Sequence, residues 1–438
     1  MSIAKGFTEG IREDDSQNTQ QDTEKVFLIG AELKSRTKWD VSESMEELAN
    51  LAETAGGVVV GEGTQKLDRP YSGTFIGKGK AEQFALECSA MSVDTVIFDD
   101  ELSPGQGRNL EKVFDRKIID RTSLILDIFA QRARTREGKL QVELAQLQHL
   151  LPRLTRFWSH LSRQKGGIGM RGDGESQLET DRRRIQERIT RLSAELDQVR
   201  KHRSVQRQGR RRNNWPLASI VGYTNAGKST LLNALTGADV QAEDKLFATL
   251  DPTTRKLRLE TNQTVLLSDT VGFIQKLPHR LVEAFKATLE EVSEADLLVH
   301  VVDVSHPQAD QQIDAVNEVL KEIDALDKPT LMVFNKIDRL ESPEILNRYT
   351  ELYSPAVGIS AQQKLGFDQL WTFLSNSLRP IRSTLELHIP VDQSSTIARV
   401  HQIGQVVTLD YDDHYARIEA RIPPQHLDEF QRYCVQPD

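Results

Sequence analysis

The sequence predicts an α/β protein of several domains, and three observations predict it. An apolar run, Leu217, Ala218, Ile220 and Val221, enters a glycine-framed loop and leaves through Leu231, Leu232 and Leu235 at helical spacing, reading as strand, loop, helix. Upstream, short β-branched runs alternate with helical stretches, the pattern of a parallel sheet. Between them leucines recur every three or four residues, the seam of paired helices.

With 438 residues, two to four domains are expected. At 38% hydrophobic and 28% charged, the chain holds no apolar run near the roughly 18 residues of a membrane span, so none is expected. Residues 1–24 are polar (Asp14, Asp15, Ser16, Gln17) and lack the apolar stretch of a signal peptide; they read as a disordered tail on a cytoplasmic protein. Cys88 and Cys434 match no zinc or redox spacing, and the ten histidines show no ligand spacing. The net charge of −9 argues against a nucleic-acid partner, but its distribution does not. From Pro152 to Arg212 there are 17 Lys and Arg against 7 Asp and Glu.

An N-terminal α/β domain is expected at 25–121. Strands are read at Val26 to Ala31, Val58 to Val60, Val93 to Phe98 and Lys117 to Ile119, with helices near Ser44 to Ala55, Ala81 to Met91 and Pro104 to Phe114, the last begun by proline. Asp99-Asp100-Glu101 ends a strand, where α/β sheets place ligands. With no second phosphate loop nearby, it reads first as a solvated acidic turn. Gly77-Lys78-Gly79-Lys80 reads as a surface loop.

A helical hairpin with a basic, glycine-rich tip is expected at 122–212. One seam runs through Leu140, Leu144, Leu147, Leu151, Leu154, Trp158 and Leu161; a second runs through Leu178, Ile185, Ile189, Leu192, Leu196 and Val199. Gly166 to Gly174 lies between them, and Pro152 is expected to kink the first helix near Gln148. Arg171, Arg182, Arg183 and Arg184 cluster near the tip. A solvated coiled-coil face would mix its charges, whereas this imbalance favours a phosphate backbone, with RNA read by shape.

A nucleotide domain is expected at 213–380. Gly222-Tyr223-Thr224-Asn225-Ala226-Gly227-Lys228-Ser229 fits the phosphate-loop spacing, and Thr230 follows on the helix. Phosphates are wrapped by successive backbone N–H groups at a helix N-terminus, which needs glycine where the chain bends and approaches closely. Lys228 is expected to reach the β- and γ-phosphates, and the Ser229 hydroxyl to hold magnesium. Phe247 to Arg255 supplies hydroxyls in a loop, of which Thr249 is the candidate for the magnesium shell and for sensing the γ-phosphate. Asp269-Thr270-Val271-Gly272 follows the strand Thr264 to Leu267, placing Asp269 toward magnesium and the Gly272 N–H toward the γ-phosphate.

Base choice is read from Asn335-Lys336-Ile337-Asp338 after the strand Leu331 to Phe334. The Asp338 carboxylate can accept from guanine N1–H and the 2-amino group, donors adenine lacks there. Asn335 braces the loops, the Lys336 stem lies along the base, and Ser360-Ala361 offers N–H groups to guanine O6. The substrate is therefore read as GTP, with ATP as the alternative. Residues 381–438 alternate strand and helix as a small α+β domain for docking or regulation.

The chain closely resembles the bacterial HflX family of translation-associated GTPases over about Val26 to Arg379. The resemblance rests on Ile168 to Arg184, Asp269 to Glu291, Phe98 to Leu110 and Arg134 to Leu154, and departs at Asp173, where the family pattern has proline. It implies a P-loop GTPase domain, binding to the large ribosomal subunit through the N-terminal domain and hairpin, and splitting or rescue of stalled or idle ribosomes, especially under heat stress. It also implies an ATP-directed activity of the N-terminal domain. The resulting expectation is a monomeric GTP-hydrolysing switch that binds the ribosome and its RNA. The rivals are a metabolic NTPase without an RNA partner and an RNA-binding assembly factor that uses nucleotide as a structural or timing ligand.

Overall fold

The computed structural model describes residues 24–34, 41–154, 173–212, 215–237, 246–259, 264–276, 286–378, 383–412, 414–422 and 426–435. The N-terminal unit is a four-stranded parallel sheet, β1 (Lys25–Leu33), β2 (Val58–Leu67), β3 (Thr95–Phe98) and β4 (Lys117–Asp120), in the order β2-β1-β3-β4. Alternate side chains leave opposite faces, and both faces are covered. Phe27, Ile29 and Phe98 pack with Phe84 of α2 (Lys78–Ala90) and Leu110 of α3 (Pro104–Phe114). On the other face, Val26, Leu28 and Ile97 pack with Leu48 of α1 (Val41–Thr54) and Ile125 of α4 (Arg121–Arg132). The region expected as a hairpin from residue 122 thus begins inside a helix, α4, that belongs to this sheet's core.

Local chemistry sets the ends of these helices. Ser103 and Gln106 form a reciprocal capping box ahead of Pro104, with the Ser103 N–H donating to Gln106 Oε1 at 2.9 Å. Asp120 caps α4 by accepting from the Ser123 N–H at 2.9 Å.

The hairpin forms from α5 (Arg136–Leu154) and α6 (Asp173–Arg212), which share a core of Leu140, Leu144, Ile189, Leu192 and Leu196. Arg136 faces Glu195 at 3.5 Å and Arg188 faces Glu143 at 2.7 Å, so the helices run antiparallel. The α5 helix continues through Pro152 to Leu154. Trp158, Leu161, Arg171 and the glycine tip up to Gly172 lie outside the described residues.

The nucleotide domain is a six-stranded sheet of β5 (Leu217–Gly222), β6 (Thr253–Arg258), β7 (Thr264–Asp269), β8 (Leu297–Asp303), β9 (Thr330–Asn335) and β10 (Ala356–Gly358). Its order is β10-β9-β8-β5-β7-β6, parallel except for β6. Thr253 to Arg255, expected in a loop, begin β6, because the open edge of β7 takes them as an antiparallel partner, Thr253 opposite Asp269. The helix α7 (Lys228–Thr236) follows β5.

The two units are not separate bodies joined by a linker. Phe129 and Ala133 of the N-terminal side share a core with Phe247, Leu250, Phe273 and Ile274 of the nucleotide domain. The Phe129 and Phe247 rings meet edge to face, 4.7 Å between centroids. The C-terminal unit is an antiparallel sheet of β11 (Ser383–Pro390), β12 (Gln405–Tyr411) and β13 (Tyr415–Ile422), ordered β11-β13-β12, with the helix Ser394–Ile403 against one face. Among the described residues no helix is long and apolar enough to cross a membrane.

Candidate nucleotide site

The site is assembled at the carboxyl ends of β5, β7 and β9, where parallel strands release their loops on one side of the sheet. Gly222 closes β5 at φ 151°, and a Cβ there would collide with the Val301 carbonyl oxygen of the neighbouring strand. Gly227 stands at φ 95° before α7, where a Cβ would strike the Asn335 amide. Both positions therefore demand glycine.

Lys228, 7% exposed, donates from Nζ to the Tyr223 carbonyl at 2.7 Å. Burial pulls its pKa down to about 8, with Asp269 acting in the opposite sense. Ser229 Oγ donates to Asp269 Oδ2 at 2.7 Å, Thr249 Oγ1 donates to the same oxygen at 2.9 Å, and the two hydroxyls lie 2.8 Å apart. The other Asp269 oxygen, Oδ1, is buried with no hydrogen-bond partner. Burial raises the Asp269 pKa, opposed by Lys228 and by the Ser229 and Thr249 hydroxyls. An unpaired carboxylate oxygen beside two hydroxyls is a hard-oxygen set of the kind magnesium takes. Among the described residues no three His, Cys, Asp or Glu converge as an all-protein metal cage.

The cavity is lined by Thr224, Asn225, Gly227, Lys228, Ser229, Thr230, Phe247, Ala248, Thr249, Thr270 and Gly272. Gly272 sits so close to Thr224 and to Lys228 Nζ that a Cβ would lie 2.8 Å from the first and 3.0 Å from the second. Asn335 donates to the Ala226 carbonyl at 2.8 Å and accepts from the Ala361 N–H at 2.9 Å, binding the phosphate loop to the 360–361 loop. Lys336 adopts a left-handed φ of 64° and pairs with Asp303 at 2.6 Å. Asp338 lies exposed in a single 3-10 turn, Ile337–Arg339, and Ser360 is fully buried.

Of the residues read from the sequence, Gly222, Tyr223, Ala226, Asp269, Asn335, Lys336, Asp338, Ser360 and Ala361 do not line this cavity. The Tyr223 phenol turns the other way, donating to Glu47 of α1 at 2.7 Å and accepting from the Gln275 N–H at 2.8 Å. Ala226 contributes its carbonyl to Asn335 and does not line the cavity. Thr253, at the far end of the hydroxyl-rich stretch, is committed to β6. Arg182, Arg183 and Arg184 are exposed on α6, with Arg183 3.2 Å from Glu187 and Arg184 3.9 Å from Asp181.

Asp99 and Asp100, expected in a solvated turn, are 2% and 5% exposed. Arg121 reaches Asp99 at 2.8 Å and Glu47 at 2.5 Å, and Ser44 Oγ donates to Asp99 at 2.7 Å. Lys276, four residues beyond Gly272, pairs with Asp99 and lies 3.5 Å from Asp100. Burial pushes the Asp99 carboxyl up, but Arg121 and Lys276 outweigh it and hold it below its usual range. Only Glu101 of the three acids stays exposed. Glu47, Arg121 and Lys276 carry no motif; the acid run at a strand end was the available signal.

Residues 42–130 match the family described as GTP-binding GTPase N-terminal, residues 132–210 its middle region, and residues 218–336 the 50S ribosome-binding GTPase family. The GTPase HflX of Lacrimispora saccharolytica is 48% identical over 402 residues, 92% of this chain and 94% of that protein. The chain belongs to the HflX family of GTPases. GTPase HflX of Escherichia coli K12 is 46% identical over 397 residues, covering 90% of this chain and 92% of its own. A GTP-binding protein from the archaeon Sulfolobus solfataricus, solved in complex with GDP, is 26% identical, spans 81% of this chain and 99% of its own, and superposes with a TM-score of 0.44. The chain is thus a GTP-hydrolysing enzyme with a P-loop domain, as read from Gly222 to Ser229 and Asn335 to Asp338.

Proposed function

We propose that this GTPase is a switch that binds the large ribosomal subunit and its RNA in the GTP state, splits or rescues stalled or idle ribosomes under stress such as heat, and resets by hydrolysis. The observation that carries the switch is the oxygen cluster of Ser229, Thr249 and Asp269. Its members come from three segments, so a bound triphosphate and magnesium would hold those segments together and GDP would hold them less. The RNA side is supported by the 50S ribosome-binding description of the family matched at 218–336 and by the exposed arginines of α6.

In this reading the loop from Gly222 to Thr230 wraps the phosphates, with the backbone N–H groups of Asn225, Gly227, Lys228, Ser229 and Thr230 turned to them while the Thr224 and Ala226 N–H groups brace the loop, and Lys228 holds the β- and γ-phosphate oxygens. Ser229, Thr249 and Asp269 would hold magnesium, which when bound would offset the charge on the phosphates. The Gly272 N–H meets the γ-phosphate. Asp338 reads guanine, Lys336 lies along the base, and Ser360 and Ala361 face O6, braced by Asn335. Arg171, Arg182, Arg183 and Arg184 contact RNA phosphates. The enzyme acts as a monomer in the cytoplasm.

The residue after Gly272 is Phe273, buried to 1% exposure and unable to hydrogen-bond a water. Its backbone instead latches the phosphate loop, donating to the Gly222 carbonyl at 3.1 Å and accepting from the Thr224 N–H at 2.7 Å. Intrinsic turnover is therefore slow, and the ribosome raises it by ordering the attacking water. Single-turnover GTP hydrolysis with and without purified large subunits tests this: stimulation is expected, and fast hydrolysis by the free protein that subunits leave unchanged contradicts it.

A further inference from the structure

The loop that carries Thr249 ends on a carboxylate that binds the foot of the hairpin. Asp251 Oδ2 accepts from the backbone N–H groups of Arg134 and Thr135, each at 2.9 Å. The Thr135 hydroxyl donates to Asp251 Oδ1 and accepts from the Gly138 N–H at 3.0 Å, so the residue capping α5 is itself held by the loop. A carboxylate placed there meets three donors and the positive end of α5. Gly138 makes room for it: a Cβ at that position would collide with Asp251 Oδ1. Glycine is a poor helix former, and the close approach of Asp251 accounts for its place in the first turn of α5.

Two apolar anchors hold the same loop on the same side. Phe247, 2% exposed, packs its ring on Phe129 of α4, and Leu250, 3% exposed, lies in the core that includes Phe129 and Ala133. Thr249 lies between these fixed points with its hydroxyl turned to Ser229 and Asp269. Its place in the site is thus set from the outside, by the joint between α4 and α5.

We infer that Asp251 is a positioning residue for GTP hydrolysis: by docking on the N-terminus of α5 it holds Thr249 in the site and couples the foot of the hairpin to the nucleotide state. The coupling is reciprocal, so a partner that moves the hairpin foot also moves Thr249. This rests on the proposed role of Thr249 and adds the residue through which the hairpin reaches it.

The test compares the full-length wild type with Asp251→Ala, Asp251→Asn and Thr249→Ala, reading kcat for GTP and affinity for GDP, together with amide hydrogen exchange at Arg134 and Thr135. Asp251→Ala is expected to lower kcat about 10- to 100-fold, the range that a displacement of about 1 Å causes, while GDP affinity stays unchanged. Asp251→Asn keeps an acceptor oxygen and returns part of the rate. In the wild type, a GTP analogue protects the two amides more than GDP does, and Asp251→Ala removes that difference. If Thr249→Ala lowers kcat and Asp251→Ala does not, Asp251 is only a helix cap and the inference is wrong. If Thr249→Ala leaves kcat unchanged, the proposed role of Thr249 fails and the inference falls with it. A loss of rate matched by an equal loss of GDP binding means misfolding, and it too overturns the inference.

Discussion

Asp99 and Asp269 each stand at the carboxyl end of a strand, in two different sheets, next to a helix or loop from elsewhere in the chain. Their surroundings differ in one respect. Both Asp99 oxygens are partnered, Oδ1 by Arg121 and Oδ2 by Ser44 and Lys276, and the carboxyl is held below its usual range. Asp269 uses Oδ2 for two hydroxyls and leaves Oδ1 buried and unpaired, and its pKa is raised. A strand-end carboxylate that the fold satisfies is a joint, and one left partly unsatisfied is ready for a ligand. Here the joint ties the N-terminal unit to the segment after Gly272, while the open carboxylate belongs to the nucleotide site.

The largest effect that would break this contrast is on stability. Arg121 is 1% exposed and pairs with both the buried Asp99 and the partly buried Glu47, so Arg121→Ala removes the guanidinium that the two carboxylates share. A loss of about 3–5 kcal/mol is expected in chemical denaturation, the cost of removing one partner of a buried ion pair. A loss below about 1 kcal/mol would show that the joint is not closed. Lys228→Ala lies on the other side of the contrast. It should lower GTP turnover by about 10²- to 10³-fold, the scale set by losing one preorganised charge-stabilising donor, while unfolding changes far less. A variant that turns over normally would remove Lys228 from the site.

Acid and base sharpen the same comparison. Asp99, lowered in the fold, contributes stability above the ordinary carboxylate pKa that is lost as pH falls through its folded value. Asp269, raised in the fold, acts oppositely: its contribution is full below the ordinary value and lost as pH rises through the folded one. Lys228, pulled down to about 8, takes up a proton when phosphates bind above that pH. Affinity for GTP should therefore fall by up to about tenfold per pH unit above pH 8, and Lys228→Ala should flatten the profile; titrations at pH 7, 8 and 9 check both.

The smallest expected effect on the fold is at the exposed cations. Replacing Arg182, Arg183 and Arg184 together by glutamine should change stability by about 0.5 kcal/mol or less, because surface pairs such as Arg183 with Glu187 contribute little. Large-subunit binding should weaken, and the slope of log affinity against log salt should drop by roughly 0.7 to 0.9 for each lost phosphate contact. An unchanged slope would leave these arginines as a solvated face.

What could be read from the sequence was what short-range chemistry decides. The helix Pro104–Phe114 was legible end to end because Ser103, Pro104 and Gln106 cap it locally. The strand and helix that flank the phosphate loop, the strand that leads into Asn335, and the leucine seams were legible because each keeps its spacing within a few residues. The second strand was read as ending at Val60 and continues to Leu67, because Gly61 and Gly63, poor strand formers alone, let the rings of Phe27 and Phe84 lie against the backbone. Lys276 with Asp99, and Asp251 with Thr135, were not legible, since these contacts cross more than a hundred residues and depend on how the two units dock.

The central claim is that the nucleotide state controls attachment to the ribosome. The direct measurement is co-sedimentation of the full chain with purified large subunits in the presence of a non-hydrolysable GTP analogue, GDP or ATP. The account predicts that the chain pellets with the GTP analogue and is largely left in the supernatant with GDP or ATP. Equal pelleting with all three would contradict it.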